Sequence, residues 1–214
     1  MIRKIFILLL VSFISANINS FLLKELYDNR TSWEYYDQIN QVKNIFIGTG
    51  INDDIVFIKI EQKVDLDNAE LFSTLKDIKG YNDIVSNENI FTNLIKVESD
   101  TIYAHQLITN VIPLVRNRQY IFKMYSYNES RLDWILLDSS NPLMQGYIGK
   151  NTHDLLYGAG SWHLSDENVL SYRMYIDDDV NIFPDRFIRK IRINSAIDIF
   201  DDVLDNLKLN RGNN

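Results

Sequence analysis

From Phe91 to Asp177 the chain is a succession of alternating segments, and behind Pro184 it ends in one long amphipathic stretch. The segments over 91–98, 101–110, 119–127, 131–139, 155–165 and 168–177 read as β-strands. Ser99-Asp100, Asn128 to Ser130 and Ser165 to Glu167 are breaks short enough for tight hairpins, so the strands they join run antiparallel. The final stretch carries Phe187, Ile188, Ile191, Ile197, Phe200, Val203, Leu204 and Leu207 at helical spacing, with Pro184 where a helix tolerates proline. A meander followed by one long helix leaves few solutions, because the helix must bury its apolar stripe on one sheet face. The expected fold is α+β: a curved antiparallel β-sheet wrapped around a long C-terminal α-helix. The space between them is either filled by side chains or kept for an apolar ligand, and periodicity does not choose.

Upstream, Thr31-Ser-Trp-Glu34 has the form of a capping box, and Trp33, Tyr36, Ile39 and Val42 recur at helical spacing, which predicts a helix over 31–43. The alternation over 44–49 and 55–64 predicts a hairpin about the turn at 50–53. Asp65-Leu-Asp67 opens a second helix carrying Leu71, Leu75 and Ile78, with Gly80 as its stop and a polar loop over 82–89 behind it. Asn141-Pro142 closes the strand block.

At the other end, Arg3 and Lys4 precede the run Ile5 to Ile14, which lacks any ionisable group, and the small residues Ser15, Ala16 and Ser20 follow. This is the pattern of a signal peptide over 1–20, cleaved after Ala16 or after Ser20. The run is half the roughly 20 residues that a membrane span needs. One mature domain over 21–208 and a disordered tail over 209–214 are expected, exported to a periplasm in a bacterium and otherwise secreted. The chain has 22 basic and 29 acidic residues, a net charge of −7, which becomes −9 without Arg3 and Lys4. That balance argues against a nucleic-acid partner and allows at most a transient membrane contact. With no Cys there are no disulfides, thiolate metal sites or Cys nucleophiles. A monomer is expected.

Few residues are spaced for chemistry. His105, His153 and His163 form no zinc pattern. Gly158-Ala-Gly160-Ser161-Trp162 places its serine one position too late for G-x-S-x-G and reads as a closely packed or bulged strand. Asp177 to Asn181 has the opening of a calcium loop, but Ile182 and Ile188 stand where glycine and glutamate are required. No catalytic residue, metal or cofactor is expected. Two polar features remain. Gln106 shares a strand face with Ile102, Ala104 and Ile108, and Arg116 and Arg118 precede the next strand. A buried amide needs a partner, in the protein or on a ligand.

The order of features resembles a START domain, the lipid-binding branch of the helix-grip, Bet v 1-like superfamily, over about 32–208. The resemblance is carried by Trp33 before Ile45-Phe-Ile47, the strand ending in Val64-Asp65, and the helix Ala69 to Leu75. It continues through Val97 to Tyr103, Val111 to Tyr120 around Pro113, Gly160 to Tyr175, and the turn at Asp177 to Pro184. Departures are Tyr81 where the family often has Trp, a single proline in the loop, and Gln119 after Arg118. Gln106 and Met124 fall where some sterol carriers hold a carboxylate and an arginine, so sterol specificity is not implied.

The resemblance implies a tunnel for one lipid or other apolar small molecule between sheet and helix. Strand parity nominates its lining. Val56, Ile58 and Ile60 come from one strand, and Ile102, Ala104, Gln106 and Ile108 from another. Tyr120, Phe122 and Met124 follow, then Trp134 and Leu136, then Leu170, Tyr172 and Met174, with Phe187, Ile191 and Phe200 closing from the helix. The expected function is a carrier or sensor without catalysis. The alternatives are a polyketide cyclase or aromatase of the same superfamily, or a filled-core binding or scaffold module.

Overall fold

The computed structural model describes residues 18–27, 31–50, 55–109, 116–138, 141–147, 152–177 and 184–212. Its strands are β1 (Ser32–Ile39), β2 (Lys43–Thr49), β3 (Val56–Lys63), β4 (Ile90–Glu98), β5 (Thr101–Ile108), β6 (Asn117–Asn128), β7 (Arg131–Leu136), β8 (Thr152–Asp154), β9 (Gly158–Leu164) and β10 (Val169–Ile176). They form one curved, unclosed sheet in the order β1-β2-β3-β10-β9-β7-β6-β5-β4. Every pair on this path is antiparallel, and β8 joins β6 in parallel off the path. The terminal helix α5 (Asp185–Gly212) covers the concave face. This is the helix-grip arrangement that the sequence pattern leads to. The helix runs past 208, through the first residues of the segment read as a tail.

The segment at 31–43 is not a helix. Asn40 and Gln41 both take positive φ, 52° and 61°, and fold β1 back on β2. Paired left-handed residues favour a primed hairpin turn, whose twist matches that of the strands. Tyr35 and Tyr36 suit a strand as well as a helix, and the ladder with β2 decides the matter. Thr31 caps nothing there: its Oγ1 donates to the Glu25 carbonyl at 2.6 Å. The hairpin at Ser99, with φ of 52°, lies where a polar break is read from sequence, and Asn168, with φ of 59°, extends the break at 165–167 by one residue.

Helix α2 (Asn68–Lys76) begins at Asp67, whose carboxylate accepts from the Glu70 amide at 2.8 Å, and it buries Leu71, Phe72 and Leu75. It stops at Lys76, before Gly80. A 3-10 turn (Ile78–Gly80) and the short helix α3 (Tyr81–Ile84) follow, so the loop expected over 82–89 begins inside a helix. Helix α4 (Pro142–Gln145) and strand β8 are too short to leave a periodic signal.

The convex face is covered by a helix over 18–25, α1. Its Leu22, Leu23 and Leu26 pack with Phe57, Ile135 and Ala159. Asn19, 1% exposed, is the polar anchor. Its amide donates to the Leu136 and Leu156 carbonyls at 2.9 and 2.8 Å, and its oxygen accepts from the Gly158 amide at 2.8 Å. Tyr27 follows, with the guanidiniums of Arg131 and Arg173 over its ring at 3.5 and 4.3 Å from the ring centre. Arg131 is locked by two hydrogen bonds, at 2.7 and 2.9 Å, to the buried Asp133. Residues 1–17 of the expected signal, the turn at 51–54, the proline loop over 110–115 and most of the acidic turn at 178–183 lie outside the described residues.

Candidate functional site

Period-two alternation sends every second residue of the central strands to the concave face. The register aligns them into rows. One row runs Ile58, Met174, Gly160, Trp134, Met124, Ile102 across six strands, and a second runs Ile60, Tyr172, Trp162, Leu132. Gly160 is indispensable to the first row: a Cβ there would stand 2.4 Å from the Trp134 indole, so glycine is what lets that ring lie across β9. The glycine-rich strand is therefore a packing feature of the wall.

Two adjoining chambers remain between these rows and α5. The inner one, about 70 Å³, is lined by Phe122, Met124, Trp134, Trp162 and Tyr172, with Tyr81 and Val85 from the α3 region. The outer one, about 110 Å³, is lined by Val56, Ile58, Ile108, Arg118 and Leu155, with Ile191, Arg192 and Ser195 from α5. Ile90, Gln106, Tyr120, Met174, Ile176 and Ile199 border both.

The shared wall holds a hydrogen-bonded chain. Tyr120 Oη donates to Gln106 Oε1, and Gln106 Nε2 donates to Thr92 Oγ1 at 2.8 Å. The buried amide thus has protein partners on both of its ends. Burial raises the phenols of Tyr81, Tyr120 and Tyr172 above the ordinary range, and for Tyr120 and Tyr172 the neighbouring phenols add to it. All three stay neutral at physiological pH, and Tyr120 is a hydrogen-bond donor. Among the described residues, the inner chamber's lining holds no Asp, Glu, Lys, Arg or His.

Of the residues nominated by parity, Val56, Ile58, Gln106, Ile108, Tyr120, Phe122, Met124, Trp134, Tyr172, Met174 and Ile191 border a chamber. Ile60, Ile102, Ala104, Leu136 and Leu170 share the face, and Phe200 comes from α5, but all six are packed into solid core instead. Phe187 is 46% exposed at the start of α5 and borders neither chamber. Reasoning from sequence missed Trp162 and Ile176, which have the right parity, and Ile199, two turns along α5 from Ile191. It also missed Val85 and Asn87, in the stretch read as polar loop, and Tyr81 and Ile90, which flank it. Arg118 is buried in the wall while Arg116 is exposed.

His105 points to the opposite face. Its Nε2–H donates to Gln119 Oε1 at 3.2 Å, and its ring lies 4.4 Å from that of Tyr147. Desolvation lowers its pKa, chiefly by burial, against the raising influence of Gln119 and Asp154. Its Nδ1 is buried without a partner, which suits the neutral ring. No group of three or more His, Asp or Glu among the described residues is arranged to hold a metal.

A curved sheet gripping one long helix over an apolar cavity defines the START, or helix-grip, fold, and this chain has it. The solved structure of human StAR-related lipid transfer protein 5 superposes with a TM-score of 0.67 at 10% identity, over 94% of this chain and 98% of that one. The STAR-related lipid transfer protein of Xanthomonas axonopodis gives 0.65 at 10% identity, over 82% and 98%. The Zhui aromatase/cyclase of Streptomyces sp. R1128 gives 0.50 at 11% identity, over 71% and 93%. No family model and no curated protein matches the sequence. At these identities the likeness is one of fold.

Proposed function

We propose that the protein binds one lipid or other hydrophobic small molecule between sheet and terminal helix, as an exported carrier or sensor, without catalysis. The observation that carries the reading is the inner chamber: aromatic and aliphatic walls with only uncharged donors among them. Each methylene transferred there from water gains about 0.8 kcal/mol, and one hydrogen bond from the tyrosine and glutamine groups orients the molecule. The START-like fold supports the same reading. Native mass spectrometry and solvent extraction of protein purified from its own host are expected to recover a co-bound apolar molecule. Met124→Trp, which fills the inner chamber, should abolish its uptake by a folded protein. A bare protein with no lipid uptake in vitro would overturn the proposal.

The aromatase/cyclase likeness keeps an enzymatic reading in view. A base is needed for that chemistry. His105 and Tyr103 lie off the cavity, and tyrosines with raised pKa values do not accept protons at neutral pH. Export rests on the pattern at Arg3 to Ala16. Cleavage after Ala16 keeps Asn19 and its three backbone hydrogen bonds, whereas cleavage after Ser20 discards them. We therefore place the cut after Ala16, and N-terminal sequencing of exported protein should read Asn17 first. A first residue of Phe21 would refute that assignment.

A further inference from the structure

The inner chamber offers more hydrogen-bond donors than the protein itself answers. Tyr120 donates to Gln106 Oε1, and the same amide donates to Thr92 Oγ1. Tyr81 and Tyr172 line the same chamber, yet among the described residues the hydroxyl of neither makes a hydrogen bond. Nor is either oxygen sealed in packed matter, as the partnerless His105 Nδ1 is. Tyr172 is 3% exposed, so the space that its hydroxyl meets is the chamber.

Different elements set the two phenols. Tyr172 stands on β10 opposite Trp162, its ring stacked on that indole at 4.2 Å, which fixes where the hydroxyl lies. Tyr81 is the first residue of α3 and is half-buried. The phenols are close enough to act on one another: beyond the effect of burial, Tyr81 raises the pKa of Tyr120, and Tyr120 and Tyr81 raise that of Tyr172.

A buried hydroxyl without a partner forfeits the hydrogen bonds that it makes in water, so this pair calls for an acceptor. A carboxylate would bring one together with a buried charge, and among the described residues the inner lining holds no cation to compensate it. A carbonyl oxygen is uncharged and has two lone pairs, one for each phenol.

We infer that the ligand carries an uncharged carbonyl group, that of a ketone, ester or amide, whose oxygen accepts from Tyr81 and Tyr172 in the inner chamber. Phe122, Met124 and Trp134 surround the hydrocarbon beside it. The inference rests on the apolar-ligand reading and adds to it the polar group that the ligand presents.

Three probes of one shape test it: heptyl methyl ketone, the alkene in which a methylene replaces the ketone oxygen, and octanoate. Two of the chain's three tryptophans line the inner chamber, so indole emission of the full-length protein reports occupancy. Tyr172→Phe and Tyr81→Phe should each weaken the ketone about fivefold, the size of a neutral hydrogen bond, and leave the alkene within about twofold. Octanoate should bind at least about tenfold more weakly than the ketone. The infrared carbonyl stretch of the bound ketone should lie lower in the wild type than in Tyr172→Phe, because accepting hydrogen bonds weakens the C=O bond. Without ligand, Tyr172→Phe should unfold no earlier than the wild type, whereas Tyr120→Phe, which loses its bond to Gln106, should unfold earlier. A ligand-free Tyr172→Phe protein that is destabilised would show that the hydroxyl serves the fold, and would overturn the inference. Variants that weaken ketone and alkene alike, or octanoate that binds as tightly as the ketone, would overturn it while leaving the apolar reading intact. No response to any of the three probes would bring down both.

Discussion

The two halves of helix α5 do different work with the same apolar stripe. From Phe200 to Leu207 its buried side chains meet solid matter: Phe200 stacks on Trp162 at 5.8 Å, Trp162 on Tyr172 at 4.2 Å, and Leu204 and Leu207 join Leu71 and Leu75 of α2 in one cluster. Lys43 adds an ion pair to Asp201 on the same half and reaches over the Phe200 ring. Between Ile191 and Ile199, Ile191, Ser195 and Ile199 border the chambers, while Ile193 and Ala196 join the packed core. The hollow half is bordered by strand ends and the irregular α3 region in place of a full helix. The packed half can hold the helix in place while the other leaves room for a guest.

Phe200→Ala should be the most damaging change, costing about 3–5 kcal/mol in denaturant unfolding, because a close-packed aromatic leaves a large void. Ile199→Ala, beside space that already exists, should cost about 1–2 kcal/mol. Equal losses would erase the distinction between the halves.

Asn19→Ala strands one amide and two carbonyls under the convex-face helix and should cost about 2–3 kcal/mol. Ligand affinity should not change, since the chambers lie on the other face; a parallel loss of binding would show that the two faces are coupled. Gly160→Ala should cost about 1–3 kcal/mol by overpacking. It should also push the Trp134 ring into the inner chamber and cut uptake by tenfold or more, whereas a glycine-tolerant wall would lose neither.

The smallest effect concerns pH. The His105 pKa is depressed below its ordinary value of 6.5, so the unfolded chain binds a proton more readily than the folded one. The contribution of His105 to stability is therefore complete above that ordinary value and declines as pH falls through it toward the folded pKa. Unfolding midpoints between pH 7 and pH 5 should fall, and His105→Gln should flatten the slope. An unchanged slope would assign it to other groups.

The sheet was largely legible because alternation is a direct imprint of the strand, and it put Gln106, Tyr120, Met124, Tyr172 and Met174 on one face. Parity names a face and not a depth. Ile60, Ala104 and Leu170 obey the same rule as Met174 yet are packed solid, since what lies opposite each of them is decided by α2 and α5. Tyr81 and Ile90 were hidden in a stretch with no period. Residues 31–43 misled because aromatic residues three apart fit either a helix stripe or a strand, and only the paired positive φ angles of Asn40 and Gln41 decide between them.

Among the described residues the unclosed sheet has two borders, β1 and β4, and on the second the Asn82 side chain already pairs with the Thr92 backbone. Each carries an irregularity: β1 breaks register between Tyr35 and Asp37, and β4 between Leu94 and Lys96. A bulge sets two residues against one and interrupts the even row of amides and carbonyls on which a further strand would template. The two register shifts therefore blunt both margins of the sheet against growing by strand addition.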